Sequence, residues 1–136
     1  MSPLSKVFIV KIAATVLFWC LPLILLPASL MEAVGFPKQD TYLFVRLLGC
    51  AYLALCAGYG FGLRSSLQGK RTLGPIWVGI VSNGGAFLVL CYYGLAGSWV
   101  SWGRAIQLIG WASVVASFSI ALALFVFGVR GQGEAA

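Results

Sequence analysis

A chain of 136 residues that is 61% hydrophobic and 9% charged, with a formal net charge of +6, lies outside the soluble globular class, where about 45–50% apolar and about 25% charged residues are usual. The absence of histidine rules out imidazole-ligated haem and imidazole–metal sites. The nine lysines and arginines are scattered at the ends of apolar segments, a pattern of helix anchors rather than of a nucleic-acid surface.

Charges are missing between Lys11 and Glu32, Arg46 and Arg64, Arg71 and Arg104, and Arg104 and Arg130. Each gap is long enough for a helix to cross a bilayer, which takes about 17–25 apolar residues. The predicted fold is all-α, an integral membrane four-helix bundle filling residues 1–136 as one transmembrane domain, with spans at about 7–30, 42–63, 76–95 and 105–128. Lys6 and Lys11 flank the start of the first span, Arg64, Lys70 and Arg71 lie in the second connection, and Arg130 ends the fourth span. The opposite side carries Lys38, Arg46 and Arg104, partly offset by Glu32 and Asp40. The positive-inside rule then gives both termini in the cytoplasm, in a bacterial-type inner membrane.

The first span is expected from Val7 to Leu30. Pro22 and Pro27 in its outer half predict a kink or an early end, because each removes a backbone donor and crowds the preceding turn. Pro27-Ala28-Ser29 loosely resembles a signal cleavage site, but the apolar run is long enough to be a retained span. Gly35 and Pro37 mark an irregular outer loop, after which Asp40 or Thr41 is a candidate cap for the second span.

In the second span Cys50, Ala54, Gly58 and Gly62 recur every four residues, a small-residue face that lets a neighbouring helix approach closely in lipid. In the third, Ser82-Asn83-Gly84-Gly85 places an asparagine and two glycines near mid-membrane. One reading has the glycines admitting a bulky neighbour and Asn83 bonding another helix. The other has Asn83, Gly84 and Gly85 lining a transport route, as interrupted helices do in transporters. The fourth span offers a second small-residue stripe, Gly110, Ser113, Ser117 and Ala121, from which Ser113 or Ser117 is placed to bond Asn83. The second span is expected to pair with the third or the fourth. Trp99, Trp102 and Tyr42 fit an outer aromatic belt and Trp77 and Tyr59 an inner one, while Trp19 and Trp111 read as core packing.

No acid lies inside a span, which removes a mid-membrane carboxylate relay and the embedded glutamate of four-span small multidrug transporters. The two halves share no motif, so an inverted repeat is not supported. Cys20, Cys50, Cys56 and Cys91 have no redox or zinc spacing and read as small buried apolar side chains; Cys50 and Cys91 are at depths where a disulfide is conceivable. At the outer face Arg46 is expected to pair with Asp40 or Glu32 and close the bundle. Alternatively Arg46, Arg104 and Gln107 hold an anionic head group, since the arginine fork matches carboxylate and phosphate.

The segment Phe44-Val45-Arg46-Leu47-Leu48-Gly49, with Tyr52-Leu53-Ala54-Leu55 and Gly58-Tyr59, resembles the arginine-leucine-glycine span of DoxX-like bacterial four-helix membrane proteins. The resemblance implies the four-span fold and an association with oxidoreductase complexes for some members; it brings no catalytic residue. No nucleophile–base pair or metal constellation is visible. The expected function is that of a non-enzymatic small membrane protein, without a cofactor, acting as an accessory or structural subunit of a larger assembly. Its partners would be the lipid bilayer and other membrane subunits or further copies of itself, with no nucleic acid. The alternatives are a small oligomeric transporter or channel, and a lipid or quinone binder at the outer face.

Overall fold

The computed structural model describes residues 1–130. These residues form five helices, α1 (Pro3–Leu25), α2 (Ala28–Ala33), α3 (Leu43–Leu67), α4 (Leu73–Leu95) and α5 (Arg104–Val129). All but α2 are long and apolar enough to cross a membrane, so the described residues are those of an all-helical, multi-pass membrane protein.

α1 begins four residues before the expected Val7, because Ser2 and Pro3 form a start signal. Ser5 N–H donates to Ser2 Oγ at 3.1 Å, and proline at the first helical position forfeits only a donor that is orphaned anyway. Further along, Pro22 has no N–H to offer. The ladder re-registers through a π turn at Val16–Cys20, in which Leu21 N–H reaches Val16 O. Pro27 then ends the span: Leu26, the residue before it, is forced to ψ 130°. The first span therefore stops at Leu25, short of the expected Leu30, and α2 lies in the connection.

The four spans are arranged as a square in chain order. α4 and α5 pack most closely, α1 pairs with α3, and the α3–α4 and α1–α5 sides close the ring. α1 and α4 are diagonal, as are α3 and α5. The expected pairing of the second span with the fourth therefore does not occur; the second adjoins the third. The core sits toward the end that carries the N-terminus, where Leu4, Phe8, Tyr59, Ile76 and Leu124 are buried together. Gly79 explains the tight α4–α5 contact, since a Cβ there would fall 2.5 Å from Leu124 Cδ1.

At the opposite end the two connections touch backbone to backbone. Gly103 N–H donates to Gly35 O at 3.0 Å. Gly35 has φ +101°, and a Cβ on it would stand 2.5 Å from Gly103 Cα. Both features require glycine.

The small-residue stripe of the second span is not the seam it was expected to be. Cys50, Ala54 and Gly58 are exposed, and Gly58 has open space where a Cβ would go. Only Gly62 of that set packs inside, against Pro75 and Phe8. The buried face of α3 is instead Gly49, Cys56, Tyr59, Gly62 and Ser66. The reason is geometric: a strict four-residue spacing drifts about 40° per step around a 3.6-residue helix and leaves the interface. In the fourth span Gly110 packs on the Trp99 indole, while Ser113, Ser117 and Ala121 are half-buried.

Two belt assignments also change. Trp99 is buried between α4 and α5, edge-on to Trp111 at 5.3 Å. Tyr59 lies in the core beside Phe8, with ring centroids 6.3 Å apart.

Candidate functional site

Lys11 is the residue that the earlier start of α1 redefines. Counted from Pro3 it lies two turns into the helix, roughly 12 Å along the axis, and it meets Asn83, roughly 15 Å into α4 from Leu73, at 1.5 Å per residue. Its Nζ donates to Asn83 Oδ1 at 2.6 Å and stands 5.6 Å from the centre of the Tyr59 ring, within cation–π range. Asn83, on α4, is almost fully buried. Its amide donates to Gly79 O at 2.6 Å, which leaves its carbonyl oxygen for the ammonium, a group that only donates. Ser82 Oγ donates to Gly79 O at 3.3 Å and so accepts from Tyr59 Oη at 2.7 Å. The polar side chains of α1, α3 and α4 thus form one network at a single depth.

This network lines one end of a cavity of about 290 Å³ to which all four spans contribute. From Lys11 the cavity runs past Thr15, Trp19 and Tyr52 toward Leu90, roughly 10 Å further along the bundle by helical rise. Trp19 and Tyr52 stack obliquely along it, 6.0 Å apart. Among the described residues Asn83 is the hydrogen-bond acceptor for Lys11, and an ammonium has three donors. The site is therefore an apolar slot with a positive, donor-rich end.

The expected mid-membrane trio is only partly assembled. Asn83 faces the cavity, but Gly84 and Gly85 have open space beside them, because consecutive helical residues point about 100° apart. Ser113 and Ser117 do line the cavity, yet neither bonds Asn83. Ser113 Oγ returns to Ile109 O at 2.7 Å.

The outer cluster is resolved differently from either expectation. Arg46 donates to Leu23 O at 2.7 Å and to Leu26 O. These are carbonyls that Pro27 has stranded: Leu23 O would otherwise accept from residue 27, which has no N–H. Arg46 is a side-chain cap for the broken first span, and its fork is already occupied. Glu32 accepts from Tyr42 Oη at 3.0 Å instead. Gln107 donates to Trp102 O at 2.8 Å, while Arg104 is exposed at the start of α5.

All four cysteines are free; Cys20 and Cys56 are buried, while Cys50 is exposed. This corrects the view of all four as buried side chains.

No family model matches the chain, and no curated protein or solved structure does either.

Proposed function

We propose that the protein is a non-enzymatic, membrane-embedded binder of a small amphipathic molecule whose acceptor or acid group docks on Lys11 and whose apolar body lies along Trp19 and Tyr52. The observation that carries this reading is the Lys11–Asn83 pair at 2.6 Å in a slot lined by all four spans. An ionisable side chain inside a span costs roughly 2.5–3.5 kcal/mol on insertion scales and marks function by default. Ligand sites are mostly apolar, with a few polar groups fixing orientation. The volume lies at the small end of the range for such sites, about 300–1000 Å³, which favours a ring or a short chain over a whole phospholipid. The ligand class is a quinone-like or carboxylate amphiphile. Binding thus moves from the outer arginines to the middle of the bundle.

Both termini are assigned to the cytoplasmic side of a bacterial-type inner membrane. Lys6, Arg64, Lys70, Arg71 and Arg130 support this side, with Lys11 no longer among the flanking charges.

The test uses the fluorescence of Trp19. A short-chain benzoquinone and a brominated medium-chain fatty acid, titrated into the purified protein, are expected to quench wild type in a saturable way. Trp19→Phe should lose that component, and Lys11→Met should lose saturation. Quenching that never saturates and is equal in all three proteins would refute the reading.

A role as a subunit of a larger assembly is the second reading. It is favoured by the outward Cys50, Ala54 and Gly58 face, whose open space suits close approach by a helix of another chain. A stoichiometric partner after gentle extraction would support it; a monomer after the same treatment would count against it.

A further inference from the structure

We propose that the end of the bundle carrying the N-terminus holds a second binding site, specific for a phosphate group attached to an apolar body, the chemistry of an anionic phospholipid head. A cavity of about 550 Å³ opens there between the start of α1, the α3–α4 turn and the end of α5. Three cations line it, Lys70, Arg71 and Arg130. Gly69, at φ +72°, turns the chain so that Lys70 N–H closes on Ser65 O at 2.9 Å, and this brings Lys70 and Arg71 to the rim directly after α3.

Serine hydroxyls tie the start of α1 to the end of α3 beside these cations. Ser2, Ser5 and Ser66 form a triangle with Oγ separations of 2.8, 3.0 and 2.8 Å, and Ser2 and Ser66 line the cavity. Leu4 and Phe127 form its apolar wall. The charge balance differs from the other end of the molecule, where Glu32 and Asp40 accompany the cations. Among the described residues no acid lines this cavity; Glu134, the remaining acid of the chain, lies outside them.

Three like charges around one concave surface attract a counter-ion. The two arginine forks and the lysine ammonium supply more donors than a carboxylate has acceptor positions, and they suit phosphate oxygens. Basic pockets between spans at the head-group level are where acidic lipids bind. The site is separate from the Lys11 slot and does not depend on it.

The test is native mass spectrometry of the full chain in non-ionic micelles, titrated with dioctanoyl phosphatidylglycerol, dioctanoyl phosphatidylcholine and inorganic phosphate. One phosphatidylglycerol per chain is expected to be retained where phosphatidylcholine is not. Arg71→Gln and Arg130→Gln should each weaken it about fivefold, the effect of one cation near a membrane surface. Lys38→Gln, at the opposite end, should leave it unchanged and serve as the folding control, and Arg71→Lys, which keeps the charge but loses the fork, should weaken it less than Arg71→Gln. Competition by inorganic phosphate at equal concentration would assign the site to free phosphate compounds; no competition would assign it to lipid. Equal retention of the two lipids, or equal weakening by Lys38→Gln and Arg71→Gln, would overturn the proposal.

Discussion

Lys11 Nζ and Asn83 Oδ1 stand 2.6 Å apart and join α1 to α4, two diagonal spans whose backbones do not pack on each other. A charged side chain bridges the centre of the bundle. Removing one partner is therefore unlike removing both. Asn83→Leu leaves an ammonium among apolar groups without its acceptor and is expected to destabilise by about 3 kcal/mol or more. Lys11→Met leaves only a neutral amide short of one partner and should cost about 1–2 kcal/mol. The double variant should recover most of the Asn83→Leu loss. Reversible unfolding in mixed micelles across this cycle measures the coupling, and additive losses would show that the pair is not a unit.

The cap on the first span makes a prediction about a suppressor. Arg46→Gln strands Leu23 O and Leu26 O and is expected to cost about 2–6 kcal/mol, at about 1–3 kcal/mol for each buried orphan. Pro27→Ala restores a donor to Leu23 O and lets the helix continue. In the Arg46→Gln background it should return part of the loss, whereas alone it should have little effect. A Pro27→Ala change that destabilises both backgrounds equally would contradict this role for Arg46.

Glycines separate into two classes that thermal stability can tell apart. Gly103→Ala places a Cβ 2.6 Å from Gly35 Cα, between two backbones that cannot yield, and Gly35→Ala adds strain from φ +101°. Each is expected to lower stability by about 2 kcal/mol or more, within the range of strained positions. Gly58→Ala and Gly84→Ala meet open space and should be neutral or mildly stabilising, since alanine exceeds glycine by about 1 kcal/mol in helix propensity. Equal losses in the two classes would mean that the clasp between the connections is absent.

Thiol accessibility reports the rotation of α3. Cys50 is exposed, Cys91 half-buried, and Cys20 and Cys56 buried. A membrane-permeant maleimide should modify Cys50 first and Cys91 more slowly, and should reach Cys20 and Cys56 only on unfolding. Early modification of Cys56 with Cys50 protected would place the small-residue stripe on the inside after all.

Much of the architecture can be read from charge spacing alone, because four uncharged stretches of spanning length admit few alternatives. The early break of the first span was visible in Pro22 and Pro27 for the same backbone reason that the structure shows. The site was less legible. Lys11 looks like a flanking charge if the helix is started at the first apolar run, yet Ser2-Pro3 already marked an earlier start and would have moved Lys11 inside. The buried face of α3 departs from the small-residue stripe because a four-residue repeat drifts about 40° per step around the helix. The bond of Arg46 to stranded carbonyls depends on how close α3 comes to the end of α1, which no local pattern records. Asn83 stood out because an amide at membrane depth needs a partner; that the partner is a lysine on the diagonal helix is a tertiary fact.

The most direct test of the slot is native mass spectrometry of the protein released gently from its own membrane, comparing wild type with Lys11→Met. A small amphipathic molecule carried by wild type in one-to-one ratio, and absent from a folded Lys11→Met protein, is the expected result. Wild type that emerges without bound small molecules, or a Lys11→Met protein that carries the same molecule as fully, would contradict the assignment of Lys11 as its anchor.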